Sequence, residues 1–208
     1  MKKYFIFRIK HGLLLLAIIM VLPLIVSAQN LIMARAADAT GLDPHTQTAF
    51  ASLRLLELIY EPLVVLDEKL NIVPALAESW SFSSDGKVLT FQLRKGVTFH
   101  DGSKMTAKDV IASFKRILDE KTGAATRANF LSIQTIEEQG QNTVVFHLSR
   151  PDVPILTAMT DTNASIISSD IISNGNPSQK AIGTGPFVLN SWSPDEKNNA
   201  KSQQKMVG

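Results

Sequence analysis

Along residues 89–94 the side chains change character at every step: Leu89, Phe91 and Leu93 are apolar, and Thr90, Gln92 and Arg94 are polar. A period of two marks a half-buried strand. Trp80–Phe82 precedes this run across Ser83-Ser84-Asp85-Gly86, and an Asp-Gly pair between two such runs predicts a hairpin. The pattern returns at Ile133–Glu137 and Thr143–Ser149, which flank Gln139-Gly140-Gln141-Asn142 and set Val144, Phe146 and Leu148 on one side. Between the two hairpins the period changes. Val110, Ile111, Phe114, Ile117 and Leu118 share one helical face, and Thr106 followed three positions later by Asp109 forms a capping-box start. This helix is expected to end near Gly123. Lys95-Gly96 and Asp101-Gly102 are turn signals on either side of Val97–His100.

Upstream, Ala49, Phe50, Leu53, Leu56, Ile59 and Tyr60 follow helical spacing, so a helix is expected from Thr46 to Tyr60, ended by Pro62. On that spacing Phe50 reads as a core residue. Before it, Leu31–Ala34 is a short apolar strand, and Gly41, Leu42, Asp43 and Pro44 form a loop. Leu63–Leu66 and Leu70–Val73 across Glu68-Lys69 make a small hairpin. Beyond Pro151 the sequence predicts a short helix at Ile155–Met159, an apolar step at Ile166-Ile167 and a polar loop over Ser173–Gln179. Ile182–Phe187 then leads into a strand at Val188–Trp192. Pro194–Gly208 is rich in Asn and Gln and has no period, so it reads as a disordered polar tail.

The first 28 residues are organised differently. Lys2, Lys3, Arg8 and Lys10 form a basic start, Leu13–Leu22 is an unbroken apolar run, Pro23 interrupts it, and Val26-Ser27-Ala28 offers small residues for cleavage. This is the plan of a secretory signal cut after Ala28, which places the mature chain in the periplasm. The competing reading, a membrane anchor, needs about 20 apolar residues without a breaker.

Removing the leader changes the charge. The chain holds 21 Lys and Arg against 19 Asp and Glu; without the four basic residues of the leader, 17 remain against 19, a net of −2. The basicity is a targeting feature and gives no reason to expect nucleic acid. The absence of cysteine excludes a disulfide framework, a thiolate metal site and a cysteine nucleophile. His100-Asp101-Gly102 has no second metal ligand at helical or hairpin spacing and reads as a turn, so no metal or other cofactor is expected. Gly183-Thr184-Gly185-Pro186 lacks the Lys and helix start of a phosphate loop, and Pro186 has no backbone donor for an anion. No Gly-x-Ser-x-Gly elbow occurs, and Asp109 is a cap before it is an acid, so an enzyme is not expected.

Four motifs carry a resemblance. The block Leu89–Gly102, continuing through Met105–Arg116, resembles the signature of the family 5 extracytoplasmic solute-binding proteins, the dipeptide, oligopeptide and nickel-type receptors of ABC importers. Gly41–Pro44, Ile72–Trp80, and Ile182–Phe187 ahead of Trp192 agree in order and spacing, so the likeness spans roughly residues 30–193. It implies an α/β fold of the class II periplasmic-binding-protein type, with two lobes closing on a ligand by a hinge. Mapped onto this chain, it implies lobe-one pieces at 29–52 and 165–193 around an accessory domain at 53–164, with the second lobe missing. The departure at Asn198–Gln204 from the family's next strand reads as a frameshift, a premature stop or a misassigned gene end.

The resemblance also implies a function: an extracytoplasmic component, acting as a monomer, that binds peptides or a similar small solute for an inner-membrane ABC permease. The alternative is a truncated secreted fragment that binds nothing. In the resembling receptors the loop after the Leu-Asp-Pro position faces the cleft, which selects Gln47, Thr48 and Phe50 as ligand contacts. Thr48 stands where a helix N-cap also fits. The anchors for a peptide's charged termini come, in the family, largely from the second lobe.

Overall fold

The computed structural model describes residues 38–192 and 199–202. The leader, the strand expected at Leu31–Ala34 and most of the polar tail lie outside the described residues.

The alternating runs make the central sheet. Strands β3 (Ala77–Phe82), β4 (Val88–Leu93), β5 (Ile133–Glu138) and β6 (Thr143–Leu148) form one antiparallel sheet in the order β3-β4-β6-β5. Trp80 faces Phe91 across the first hairpin, and Leu89 and Phe91 face Phe146 and Val144 across its centre. Gly86 closes the first hairpin at φ 67°, a left-handed conformation that costs glycine nothing. Two short strands, β1 (Val64–Leu66) and β2 (Ile72–Pro74), form the small hairpin ahead of the sheet.

Helix α2 (Ala107–Leu118) covers one face of this sheet, following α1 (Phe50–Leu56) in the chain. Its capping box is present: the Asp109 carboxylate accepts from the Thr106 backbone N–H at 2.8 Å and from the Thr106 hydroxyl at 3.1 Å. Val110, Phe114 and Ile117 are fully buried beneath it. The Phe114 ring packs edge-on against Phe146 at 5.0 Å and Phe130 at 5.3 Å, and Phe146 meets Phe91 at 5.8 Å. Such edge-to-face contacts add roughly 1 kcal/mol each to the area they bury.

The flanking segments form a further layer on α2. The Ser113 hydroxyl donates to the Ile167 carbonyl and accepts from the Ile167 N–H, while the second Asp109 oxygen accepts from the Ser169 N–H at 2.8 Å. One apolar cluster therefore runs from Ala39 to Ile182, across both boundaries expected at 53 and 164. Short helices α3 (Ile155–Ala158) and α4 (Ser169–Asn174) lead to β7 (Phe187–Ser191). The chain enters β7 through Gly183–Pro186, which lies against the end of the first helical segment: Gly185 N–H donates to the Ile59 carbonyl at 2.9 Å. A side chain at Gly185 would place its Cβ 2.7 Å from that backbone, so the glycine is what permits the approach.

Four expectations are corrected. The first helix spans Phe50–Leu56, not Thr46–Tyr60, because the N–H groups of Thr46 and Gln47 are committed to the Asp43 carbonyl in a turn, and those of Leu58 and Ile59 bond three residues back. Helix α2 stops at Leu118; a separate turn, Glu120–Thr122, carries the chain to Gly123, whose φ of 64° caps it. Ser173 and Asn174 end helix α4 rather than begin a loop, with the Asn174 amide donating to the Asp170 carboxylate at 2.8 Å. Within the stretch read as a disordered tail, Asn199–Ser202 forms strand β8, paired antiparallel with β7. A ladder of backbone bonds does not require apolar alternation, which is why the polar sequence gave no sign of it.

Candidate ligand-binding site

The loop between Gly41 and Ala49 is built from below by charged and polar groups that are almost fully buried. Asp43 is 1% exposed and His45 0%. Arg116, at the end of α2, grips Asp43 with both arms, Nη1 to Oδ1 at 3.0 Å and Nη2 to Oδ2 at 2.5 Å. The same Nη1 lies 2.8 Å from His45 Nδ1. A guanidinium only donates, so Nδ1 accepts and the imidazole proton sits on Nε2, which donates to the Ser165 carbonyl at 2.9 Å. His45 is thus a neutral ring whose pKa is lowered to about 4, chiefly by burial and further by the Arg116 charge, against the opposing pull of the Ser165 carbonyl and Asp43. Burial first, then the Asp43 charge, pushes the neighbouring Tyr60 hydroxyl up.

A second support comes from the turn Thr162–Ala164. The side-chain amide of Asn163, 5% exposed, donates to the Pro44 carbonyl at 2.5 Å and the Gln47 carbonyl at 2.9 Å. Ala125 N–H donates to the His45 carbonyl from the other side.

The three residues expected to face a ligand stand together on top of this base. Gln47 is half-buried, and its Oε1 accepts from the Thr40 hydroxyl at 2.8 Å, which turns the side chain back along the loop. Thr48 is exposed and does not cap the helix; Ala49 holds the N-cap position with an extended backbone. Phe50 is 72% exposed, which overturns the core reading. As the first residue of α1 it points away from Ser52, Leu55 and Leu56, which bury the other face. The Arg54 guanidinium covers its ring at 4.9 Å from the centroid and pairs with Glu57 at 2.7 Å. Asp43 and Arg116 lie within motifs visible in the sequence. Asn163 lies 116 residues from Gln47, and no pattern links the two.

His100 has a positional role. Its Nδ1 accepts a long bond from Gly183 N–H at 3.4 Å, and its Nε2 lies 2.9 Å from the Gly185 carbonyl, so the ring braces the turn into β7. Beside it a cleft of about 400 Å³ opens between Leu42, Asp101, Lys180 and Trp192. Among the described residues no three His, Cys, Asp or Glu side chains gather as a metal site.

These features define an α/β body carrying an exposed aromatic edge on a buried polar base. The family model for bacterial extracellular solute-binding proteins, family 5 middle, matches residues 71–202. The chain belongs to that family. The di/tripeptide-binding protein 2 of Pseudomonas aeruginosa is 30% identical over 214 residues, a stretch that covers 90% of this chain and 40% of the relative. Among solved structures, the agropinic-acid complex of the binding protein AgaA from A. tumefaciens superposes with a TM-score of 0.76 at 33% identity, covering 80% of this chain and 34% of that one. DppA from Helicobacter pylori in complex with the peptide STSA gives a TM-score of 0.71 at 34% identity, covering 83% and 38%. The fold is that of the family 5 periplasmic binding proteins, and the chain spans between about a quarter and two-fifths of the length of the curated relatives it matches.

Proposed function

We propose that this chain acts as the substrate-binding component of an ABC importer, taking up peptides or a similar small solute for an inner-membrane permease. On this reading it works outside the cytoplasm as a monomer, after a leader is removed behind Ala28, and performs no chemistry. Lobe-one segments at 29–52 and 165–193 frame an accessory region at 53–164. The ligand meets Gln47, Thr48 and Phe50.

The observation that carries this is Phe50. A phenylalanine 72% exposed at the rim of a rigidly supported loop lies outside the apolar core, with the Arg54 guanidinium over its ring, and aromatic surface held out to solvent is a common contact for organic ligands. The described residues offer a ligand one face. Affinity rises when a ligand is enclosed and its charged ends are satisfied together, so the 208-residue chain alone is expected to hold di- and tripeptides on the order of millimolar rather than micromolar.

Nuclear magnetic resonance titration of the ¹⁵N-labelled chain with mixed di- and tripeptides tests this. Shifts confined to Gln47, Thr48, Phe50 and their neighbours are expected, and Phe50→Ala should abolish them. No response up to tens of millimolar, or shifts centred elsewhere, contradicts the assignment of the face; saturation at micromolar peptide contradicts its one-sidedness.

A further inference from the structure

We infer that Thr162 and Asn163 form a two-point clamp that positions the ligand-facing edge, with Asn163 setting the loop and Thr162, through Glu57 and Arg54, setting the Phe50 ring. The inference rests on the ligand-facing role proposed above for Gln47, Thr48 and Phe50.

Asn163 comes first. Its single amide nitrogen has two hydrogens, and each goes to a backbone carbonyl of the loop, Pro44 at one end and Gln47 at the other. A backbone carbonyl inside the protein needs a donor, and Pro44 and Gln47 lie in a loop outside the described helices and strands. One side chain therefore fixes the span of residues 44–47, directly before Thr48. Asn163 is itself held, because Asp161 accepts from its N–H at 3.1 Å and caps the turn.

Thr162 acts on the helix that follows the loop. Its hydroxyl, on a residue 8% exposed, donates to Glu57 Oε1 at 3.2 Å. The other oxygen, Oε2, pairs with Arg54 at 2.7 Å, and Arg54 lies over Phe50. Phe50, Arg54 and Glu57 follow one another at helical spacing of four and three, so they share a face of α1. An exposed pair of this kind orders weakly by itself, and the hydroxyl bond from the buried turn fixes one end of the row. The Arg54 charge is engaged twice, by Glu57 and by the ring, so the edge presents aromatic surface and Thr48 rather than a loose cation. This favours a ligand's apolar side chain or neutral backbone at that position over its carboxylate.

Two consecutive residues thus reach both halves of the edge, 116 and 105 positions away in the chain. The separation of the two arms gives the test. In the free chain, Asn163→Ala should raise the exchange of the Thr46 and Gln47 amides, both bonded to the Asp43 carbonyl, at least tenfold. The amides of α2 and β4 should keep their rates, and the ring-current shift of the Arg54 side-chain protons above Phe50 should persist. Thr162→Val, which keeps shape and removes the donor, should diminish that ring-current shift and leave Thr46 and Gln47 unchanged; Glu57→Gln should diminish it further. A uniform rise of all amides in Asn163→Ala, or an Arg54 signal indifferent to both Thr162→Val and Glu57→Gln, overturns the clamp. These readouts need no ligand. The peptide titration on the same samples reports separately: if the unaltered chain gives no peptide response while the clamp readouts hold, the ligand-facing reading falls and the clamp stands.

Discussion

The sheet with its helix and the loop with its supports are stabilised by different physics. Between Ala77 and Leu148 the contacts are apolar and regular: Leu89, Phe91, Val144 and Phe146 pair across neighbouring strands, and Phe114 packs onto them. The loop at Asp43–Phe50 buries little apolar surface of its own. It is held by Arg116 from 73 residues away, by Ser165 from 120 and by Asn163 from 119 and 116. Apolar packing tolerates small displacements at modest cost, whereas a hydrogen bond lost in a buried site leaves its partner unsatisfied. A receptor that must hold an exposed edge in one geometry gains from the second kind of support. The edge can stay open to solvent, with the rigidity supplied from underneath.

Breaking the two regions in turn should separate them. The largest effect is expected in the apolar region: Phe114→Ala removes a fully buried ring from between Phe130 and Phe146, and should lower the unfolding free energy in urea by roughly 4–5 kcal/mol. Arg116→Met comes next, because it leaves Asp43 charged, 2% exposed in its side chain and without its cation. A loss of roughly 3–4 kcal/mol is expected, together with faster exchange at Thr46 and Gln47, which Phe114→Ala should not produce selectively. Acid should act on the polar base through His45. The ring is neutral in the folded chain down to about pH 4, while in the unfolded chain it takes up a proton below its ordinary value of 6.5. Its stabilising contribution is therefore complete above pH 6.5 and is lost as pH falls toward 4. The total is roughly 3 kcal/mol at most, and His45→Gln should flatten that part of the profile in equilibrium unfolding. The smallest effect belongs to the helix cap: Thr106→Ala should cost about 1 kcal/mol by the same measurement.

The same contrast explains what the sequence could reveal. The hairpins, the Asp-Gly turn and the Thr106–Asp109 box were legible because their partners lie a few residues apart and because burial imposes a period on each strand or helix. The lead into β7 over Ile182–Phe187 was legible, although the reason for its glycines, the backbone of Ile59, was not. At the candidate site, Gln47 and Thr48 came from a motif resemblance and not from any pattern. Phe50 was misread as core because helical spacing marks a face without stating whether anything covers it. Asn163 and Thr162 were invisible, since a side-chain amide donating to two carbonyls across 119 and 116 residues leaves no trace in spacing or composition. Helix α4 and strand β8 were missed for a related reason: one is only six residues long, and the other is a polar strand defined by its backbone ladder.

Native-state hydrogen exchange on the 208-residue chain, compared at about pH 7 and about pH 4.5 and corrected for intrinsic rates, tests most directly whether the ligand-facing loop is held by buried polar anchors rather than by the apolar core. The account predicts that protection at Thr46, Gln47 and Ile166 falls at least tenfold at the lower pH, because a loop that has opened lets His45 take up a proton whereas the closed loop keeps the ring neutral down to about pH 4, and that His45→Gln loses this fall. Protection at Thr46 and Gln47 that holds through the acid step, or that falls by the same factor in His45→Gln, would contradict it.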